Sequence, residues 1–156
     1  MLEFDIQRSP RGNPAALNTP VPKYGFDIWT PSLTFGGANT GLAGAAFSTY
    51  QRIGDRCYID TDITLTAKGS STGVAEIYLL PFGSWGNTPP FVGHWLNMTS
   101  SLVTMAGILG AGSLGATAIL IYGLTAGATS MAQLTHADFS NTSTVRFSGF
   151  YTINDA

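Results

Sequence analysis

Asp60 and Asp62 stand two residues apart in a stretch where apolar and polar residues alternate, so both carboxylates project from one side of an extended chain. About 7 Å separates their Cα atoms in that geometry. Two carboxylates so placed can serve a glycosidase as acid and base, or offer hard oxygen donors to a cation. Thr64 and Thr66 merely continue the polar row, which points instead to a solvated or interface-lining face. His94 and His136 fall in different segments and lack the cysteine, histidine or carboxylate spacing that zinc demands. His94 precedes Trp95 in a strand-like run and reads as a hydrogen-bonded structural histidine. Cys57 is the single cysteine, which excludes an intrachain disulfide and any cysteine metal cluster. There is no nucleophile elbow or phosphate loop, and Gly110, Gly112 and Gly115 follow no parallel-sheet context for a dinucleotide. The chain reads as non-enzymatic, without metal or cofactor.

Aromatic residues offer a different chemistry. Phe82, Trp85, Phe91 and Trp95 are interleaved with Gly83, Gly86, Pro89 and Pro90. Aromatic faces held on loops can stack on sugar rings, which makes Trp85, Phe91 and Trp95 candidates for glycan binding. Packing at the end of the domain or across a subunit boundary is the competing reading, and the stronger one.

The elements that must hold these residues are short strands. From 56 to 68, Cys57, Ile59, Ile63, Leu65 and Ala67 alternate with Tyr58, Asp60, Asp62, Thr64 and Thr66, the period of a half-buried antiparallel strand. Lys68–Gly73 reads as a turn, with 74–80 returning as the second arm of a hairpin. Further strands are expected at 32–35, 46–53, 91–97, 102–109, 117–122 and 144–153, with one helical turn within 133–139. Gly54-Asp55-Arg56 reads as a turn carrying a local ion pair. About eight short strands at this spacing predict an all-β fold, an antiparallel β-sandwich of jelly-roll type spanning residues 29–156. The run 102–128 is long enough for a membrane helix. Six glycines interrupt it and basic flanks are missing, so a β-hairpin turning at Gly110–Ser113 is preferred.

Residues 1–28 differ from the rest, holding Pro10, Pro14, Pro20 and Pro22. Proline fixes φ and removes a donor, so this stretch reads as an extended arm. Leu2, Phe4, Ile6 and Leu17 are apolar anchors that a plain linker would not need. No secretion signal is visible there, and the sequons at Asn97 and Asn141 are read as chance.

In 156 residues only 10% are charged, and none between Glu76 and Asp138. The net charge of −2 lacks the electrostatic footprint of a nucleic-acid binder. A 44% hydrophobic content supports a core rather than disorder. Soluble monomers disperse themselves with mixed surface charge. A long uncharged stretch therefore predicts self-association, with a trimer preferred, because obligate interfaces are depleted in charge.

Several pieces in order carry a resemblance: Trp29–Gly37, Tyr50–Arg56, Ile59–Thr66, Lys68–Gly73, Leu79–Phe82 and Phe147–Ile153. Over residues 29–153 the chain resembles the β-sandwich domains that close bacteriophage virion appendages: tail fibres, head fibres and capsid decoration proteins. The resemblance implies a homotrimeric virion structural protein, assembled in the host cytoplasm, with no membrane or nucleic-acid partner. It supplies no catalytic motif. A short arm before a compact domain suits a decoration (cement) protein better than a fibre with a long repetitive shaft. In that role Leu2, Phe4, Ile6, Arg8, Arg11 and Leu17 would dock on the major capsid protein and stabilise the shell. The alternative is a receptor-binding tip of a tail or head fibre that recognises a host surface polysaccharide through Trp85, Phe91 and Trp95.

Overall fold

The computed structural model describes residues 24–84, 90–109 and 118–154. Ten strands run through them: β1 (Tyr24–Ile28), β2 (Ser32–Phe35), β3 (Ala43–Ile53), β4 (Arg56–Ala67), β5 (Ala75–Tyr78), β6 (Phe91–Leu96), β7 (Leu102–Leu109), β8 (Ile119–Thr125), β9 (Ala132–Gln133) and β10 (Thr144–Thr152). All pair antiparallel in one continuous sheet of order β1-β3-β4-β10-β6-β7-β8-β5-β2, with β9 beside β8. Only residues 29–31 join β1 to β2, although these strands end opposite sides of the order. Four Cα steps reach at most about 14 Å. The sheet must therefore curl until its two ends approach, and its concave side encloses one core.

Period-2 alternation decides which side chains enter that core. In β4, Cys57, Ile59, Thr61, Ile63 and Leu65 are buried while Arg56, Tyr58, Asp60 and Thr64 are exposed. β10 repeats the pattern with Val145, Phe147 and Tyr151 inward and Arg146 and Ser148 outward. Two inward hydroxyls, Ser48 and Thr61, sit opposite each other and hydrogen-bond at 2.5 Å, which satisfies both inside the core. Phe35 meets Phe139 edge to face at 5.1 Å.

Three glycines make room for rings. A Cβ on Gly93 would lie 2.9 Å from Phe147 Cε1, and one on Gly107 3.2 Å from Phe147 Cδ1. One on Gly149 would lie 2.7 Å from Phe91 Cδ1. Phe91 therefore lies over the bare backbone of β10 and is only 1% exposed. That burial removes it from any sugar-stacking surface, a correction to the glycan-binding set.

The all-β antiparallel expectation holds. In this order β6-β7-β8 is flanked by β10 beside β6 and β5 beside β8, both Greek-key arrangements, and the refinement to a jelly roll is not established by it. The predicted hairpin of 56–68 with 74–80 does not form: β4 pairs with β3 and β10, and β5 with β2 and β8. β4 instead turns directly from β3 through Gly54-Asp55, with Gly54 at φ +60° and its carbonyl accepting from Arg52 Nε at 3.0 Å. Arg56 does not close an ion pair in that turn; its guanidinium lies 5.0 Å from the Phe150 ring centroid. The run 102–128 holds the antiparallel pair β7–β8, and no helix among the described residues is long and apolar enough to cross a membrane. The turn expected at Gly110–Ser113 lies outside the described residues, as do residues 1–23 of the expected arm. Its last five residues, 24–28, are built into the sheet as β1.

A predicted helical turn is present as a 3-10 turn, His136–Asp138. Thr135 and Asp138 cap it reciprocally, and Ser100 donates to Asp138 Oδ1. His136 Nδ1 accepts from the Gly73 amide at 3.1 Å, which ties this turn to the loop before β5.

Candidate functional site

The convex face of β1, β3, β4, β10 and β6 carries three of the sequence candidates, Asp60, Asp62 and His94. Pairing register sets them in rows across the strands. Phe47, Asp62, Arg146 and His94 form one row; Ile28, Thr49, Asp60, Ser148 and Val92 form the next; Phe26, Gln51, Tyr58 and Phe150 follow. Asp60 and Asp62 thus share a face, as their spacing requires.

Their surroundings differ. Arg146 Nε donates to Asp62 Oδ2 at 2.7 Å, and Thr64 lies 3.5 Å from Asp62 Oδ1. Asp62 is held as the anionic half of a cross-strand ion pair, while Asp60 projects alone into solvent. An acid–base couple needs two carboxyl groups with separate tasks facing one substrate. No group of three or more His, Cys, Asp or Glu among the described residues could hold a metal ion.

His94 is the second correction. It projects from the convex face, exposed, beside Arg146, and makes no hydrogen bond among the described residues. His94, Trp95, Leu96, Thr144 and Arg146 line a shallow concavity of about 400 Å³. A second, of about 350 Å³, lies between Phe47, Asp60, Asp62, His94 and Arg146. Trp95 is half-buried, packed against the core from the inner side of β6, and is among the residues lining the first concavity. Trp85 lies outside the described residues, as do Leu2, Phe4, Ile6, Arg8, Arg11 and Leu17. Of the sugar-binding candidates the structure thus leaves Trp95 at a concavity and takes Phe91 away.

Three residues that matter here were not singled out from the sequence. Phe47 is 73% exposed, and its parity with Thr49 and Gln51 in β3 places it outward. Arg146 has the same parity signal in β10. Arg52 is the opposite case: a buried arginine, 2% exposed, on the inner side of β3. Its guanidinium lies 5.1 Å from the Phe82 ring centroid, and Tyr50 meets the same ring edge on. Tyr151 completes this end of the core, its hydroxyl accepting from the Phe82 amide and donating to the Phe82 carbonyl, both at 3.1 Å.

Across the inner side of the sheet Arg52, Cys57 and Tyr151 are register partners. Burial pushes the Cys57 thiol up to about 11, against the opposing pull of a hydrogen bond with Tyr151 and of the Arg52 charge. Burial likewise raises the Tyr151 hydroxyl. Both are protonated, inert members of the core at neutral pH.

No protein-family model matches the chain, and no curated protein matches it. Among solved structures the fold is similar to the crystal structure of Dettilon tailspike protein (gp208), with a TM-score of 0.67 at 18% sequence identity. The match covers 84% of this chain and 24% of that one, so the chain spans about a quarter of the tailspike's length.

Proposed function

We propose that this chain is a non-enzymatic structural domain of a bacteriophage virion, carried in a tail appendage of spike or fibre type. One observation supports the reading: the fold is similar to that of a tailspike, with a TM-score of 0.67 and 84% of this chain covered. The convex face agrees with it, since it offers apolar and aromatic side chains and an ion-paired carboxylate rather than an acid–base couple.

This reading prefers the appendage to the capsid shell. The solved structure to which the fold is similar is a tailspike, and the appendage role draws on the folded domain that carries this likeness. Within an appendage, the concavity lined by Trp95, His94, Thr144 and Arg146 is where a host polysaccharide would meet the domain. Aromatic, cationic and hydroxyl side chains are the groups that sugars engage.

Immuno-electron microscopy of virions with an antibody against the domain tests the assignment. Label at the tail appendages is the expected result. Label distributed over the shell would return the decoration role, and particles without label would overturn the virion reading altogether.

A further inference from the structure

The second concavity shares a wall with the one at Trp95, since His94 and Arg146 line both. Register sets its groups in order. Phe47 on β3 lies opposite Asp62 on β4, Asp62 opposite Arg146 on β10, and Arg146 opposite His94 on β6. Three strand spacings span that row, about 14 Å. Asp60 and Ser148 face each other in the next row. The hollow they line has a volume of about 350 Å³. Small-molecule sites begin at about 300 Å³.

Its polar groups have bonding capacity to spare. Asp62 accepts from Arg146 Nε at 2.7 Å, which orients the guanidinium and leaves both Nη nitrogens without a partner among the described residues. The Asp60 carboxylate, the His94 imidazole and the Ser148 hydroxyl also make no hydrogen bond among the described residues. Phe47 ends the row with its side chain 73% exposed. A pyranose matches this set: its C–H face is apolar, and its rim is hydroxyl groups that both donate and accept. The Phe47 ring can take the C–H face, Asp60 can accept from hydroxyls, and Arg146 Nη and His94 can donate to their oxygens.

We propose that this hollow is a second sugar subsite and that the sugar it takes is an uncharged hexose. Charge decides the class. Two carboxylates, Asp60 and Asp62, stand beside one guanidinium. Arg56, the other cation on the outward side of β4, is about 13 Å of strand from Asp60 and lies over the Phe150 ring. A uronate, a sialate or a sugar phosphate would bring a further negative charge to a hollow where carboxylate is already in excess, and like charges set together cost binding. A neutral hexose gives its hydroxyls to Asp60 without that cost. The inference rests on the glycan reading of the concavity at Trp95 and adds to it a subsite and a class of sugar.

Saturation-transfer NMR of the full-length protein tests it, with titrations of the methyl glycosides of glucose, galactose and mannose and of methyl glucuronide. At least one neutral glycoside is expected to bind, and the glucuronide to bind less tightly than it. Asp60→Ala and Phe47→Ala are each expected to weaken the neutral sugar by about tenfold or more. Both side chains point away from the core, and circular dichroism checks that the sheet is retained. Leu96→Ala, at a residue that lines the first concavity alone, is expected to leave this binding within about twofold. Binding that survives either Asp60→Ala or Phe47→Ala, or that falls with Leu96→Ala instead, overturns the subsite while leaving the glycan reading in place. Tighter binding of the glucuronide overturns the class of sugar. No binding of any of the four overturns the inference whole, and the labelling of virions then decides the appendage assignment separately.

Discussion

Raising the pH above 9 should destabilise this protein in a way that one thiol makes measurable. Cys57 has no exposed surface on the inner side of β4 and sits in register between Arg52 and Tyr151. Burial lifts its pKa from 9.0 to about 11. Below pH 9 the native and unfolded chains both keep the proton, and the stabilisation is fully present. As pH climbs from 9 to 11 the unfolded chain releases its proton first, so the native state loses ground. The loss is on the order of 1 kcal/mol at pH 10 and approaches about 3 kcal/mol above pH 11. Tyr151, also raised by burial, adds a further loss of the same sign above pH 10. Urea unfolding across this range, for wild type and Cys57→Ala, isolates the thiol because the exposed tyrosines titrate equally in both. The variant should start less stable and then lose less between pH 9 and 11. Parallel curves for the two proteins would refute the buried-thiol account. So would a native thiol that reacts with a disulfide reagent at neutral pH as fast as free cysteine.

Gly69→Ala and Gly54→Ala separate backbone strain from collision. Both glycines have positive φ, +74° and +60°, but a Cβ on Gly69 would lie 2.6 Å from the Leu42 nitrogen while one on Gly54 meets nothing within 4 Å. Denaturant unfolding should show a cost of about 1 kcal/mol for Gly54→Ala and about 3 kcal/mol or more for Gly69→Ala; equal costs would remove the steric argument. Asp62→Asn should change the unfolding free energy by less than about 1 kcal/mol, because its partner Arg146 is 56% exposed and water screens the pair. A larger loss would mean that the ion pair is shielded from solvent, as it would be beneath a partner molecule.

Alternation made much of the sheet legible. The strands at 32–35 and 102–109 match the expected bounds, and the inward and outward residues of β4 and β10 fall as their period requires. Pairing was not legible in the same way. The loop at 68–73 has the length and glycines of a hairpin, so locality suggested that β4 and β5 pair. Both edges of β4 are taken by β3 and by β10, and the latter partner lies some eighty residues along the chain. Period reports which face a residue occupies, never which strand lies beside it. Phe91 shows the other failure. Its neighbours Trp85 and Trp95 suggested an aromatic platform, yet parity with Gly93 turns it inward, where Gly149 leaves the space for its ring. Arg52 was legible by the same parity and was passed over because charge argues for the surface.

Low charge over residues 77–137 suggested assembly, but the sheet changes where that argument applies. β6, β7 and β8 come from this stretch, and their inward residues Phe91, Met105, Leu109, Ile119 and Ile121 are core. Much of the missing charge is therefore the ordinary composition of strands that bury one face. Among the described residues the highest exposures of large apolar side chains are those of Phe26, Ile28 and Phe47 in β1 and β3, while Leu79, Val92, Leu96 and Val103 within 77–137 are exposed as well. Counting charge along the chain averages the two faces of every strand and so misses this. Counting it face by face finds a convex surface where Arg56, Asp60 and the Asp62–Arg146 pair stand among exposed phenylalanine and isoleucine. Water alone is a poor neighbour for that mixture. Parity within each strand, not the running count of charge, decides where apolar surface is exposed: Phe26, Ile28 and Phe47 in β1 and β3, and also Val92, Leu96 and Val103 within the uncharged stretch.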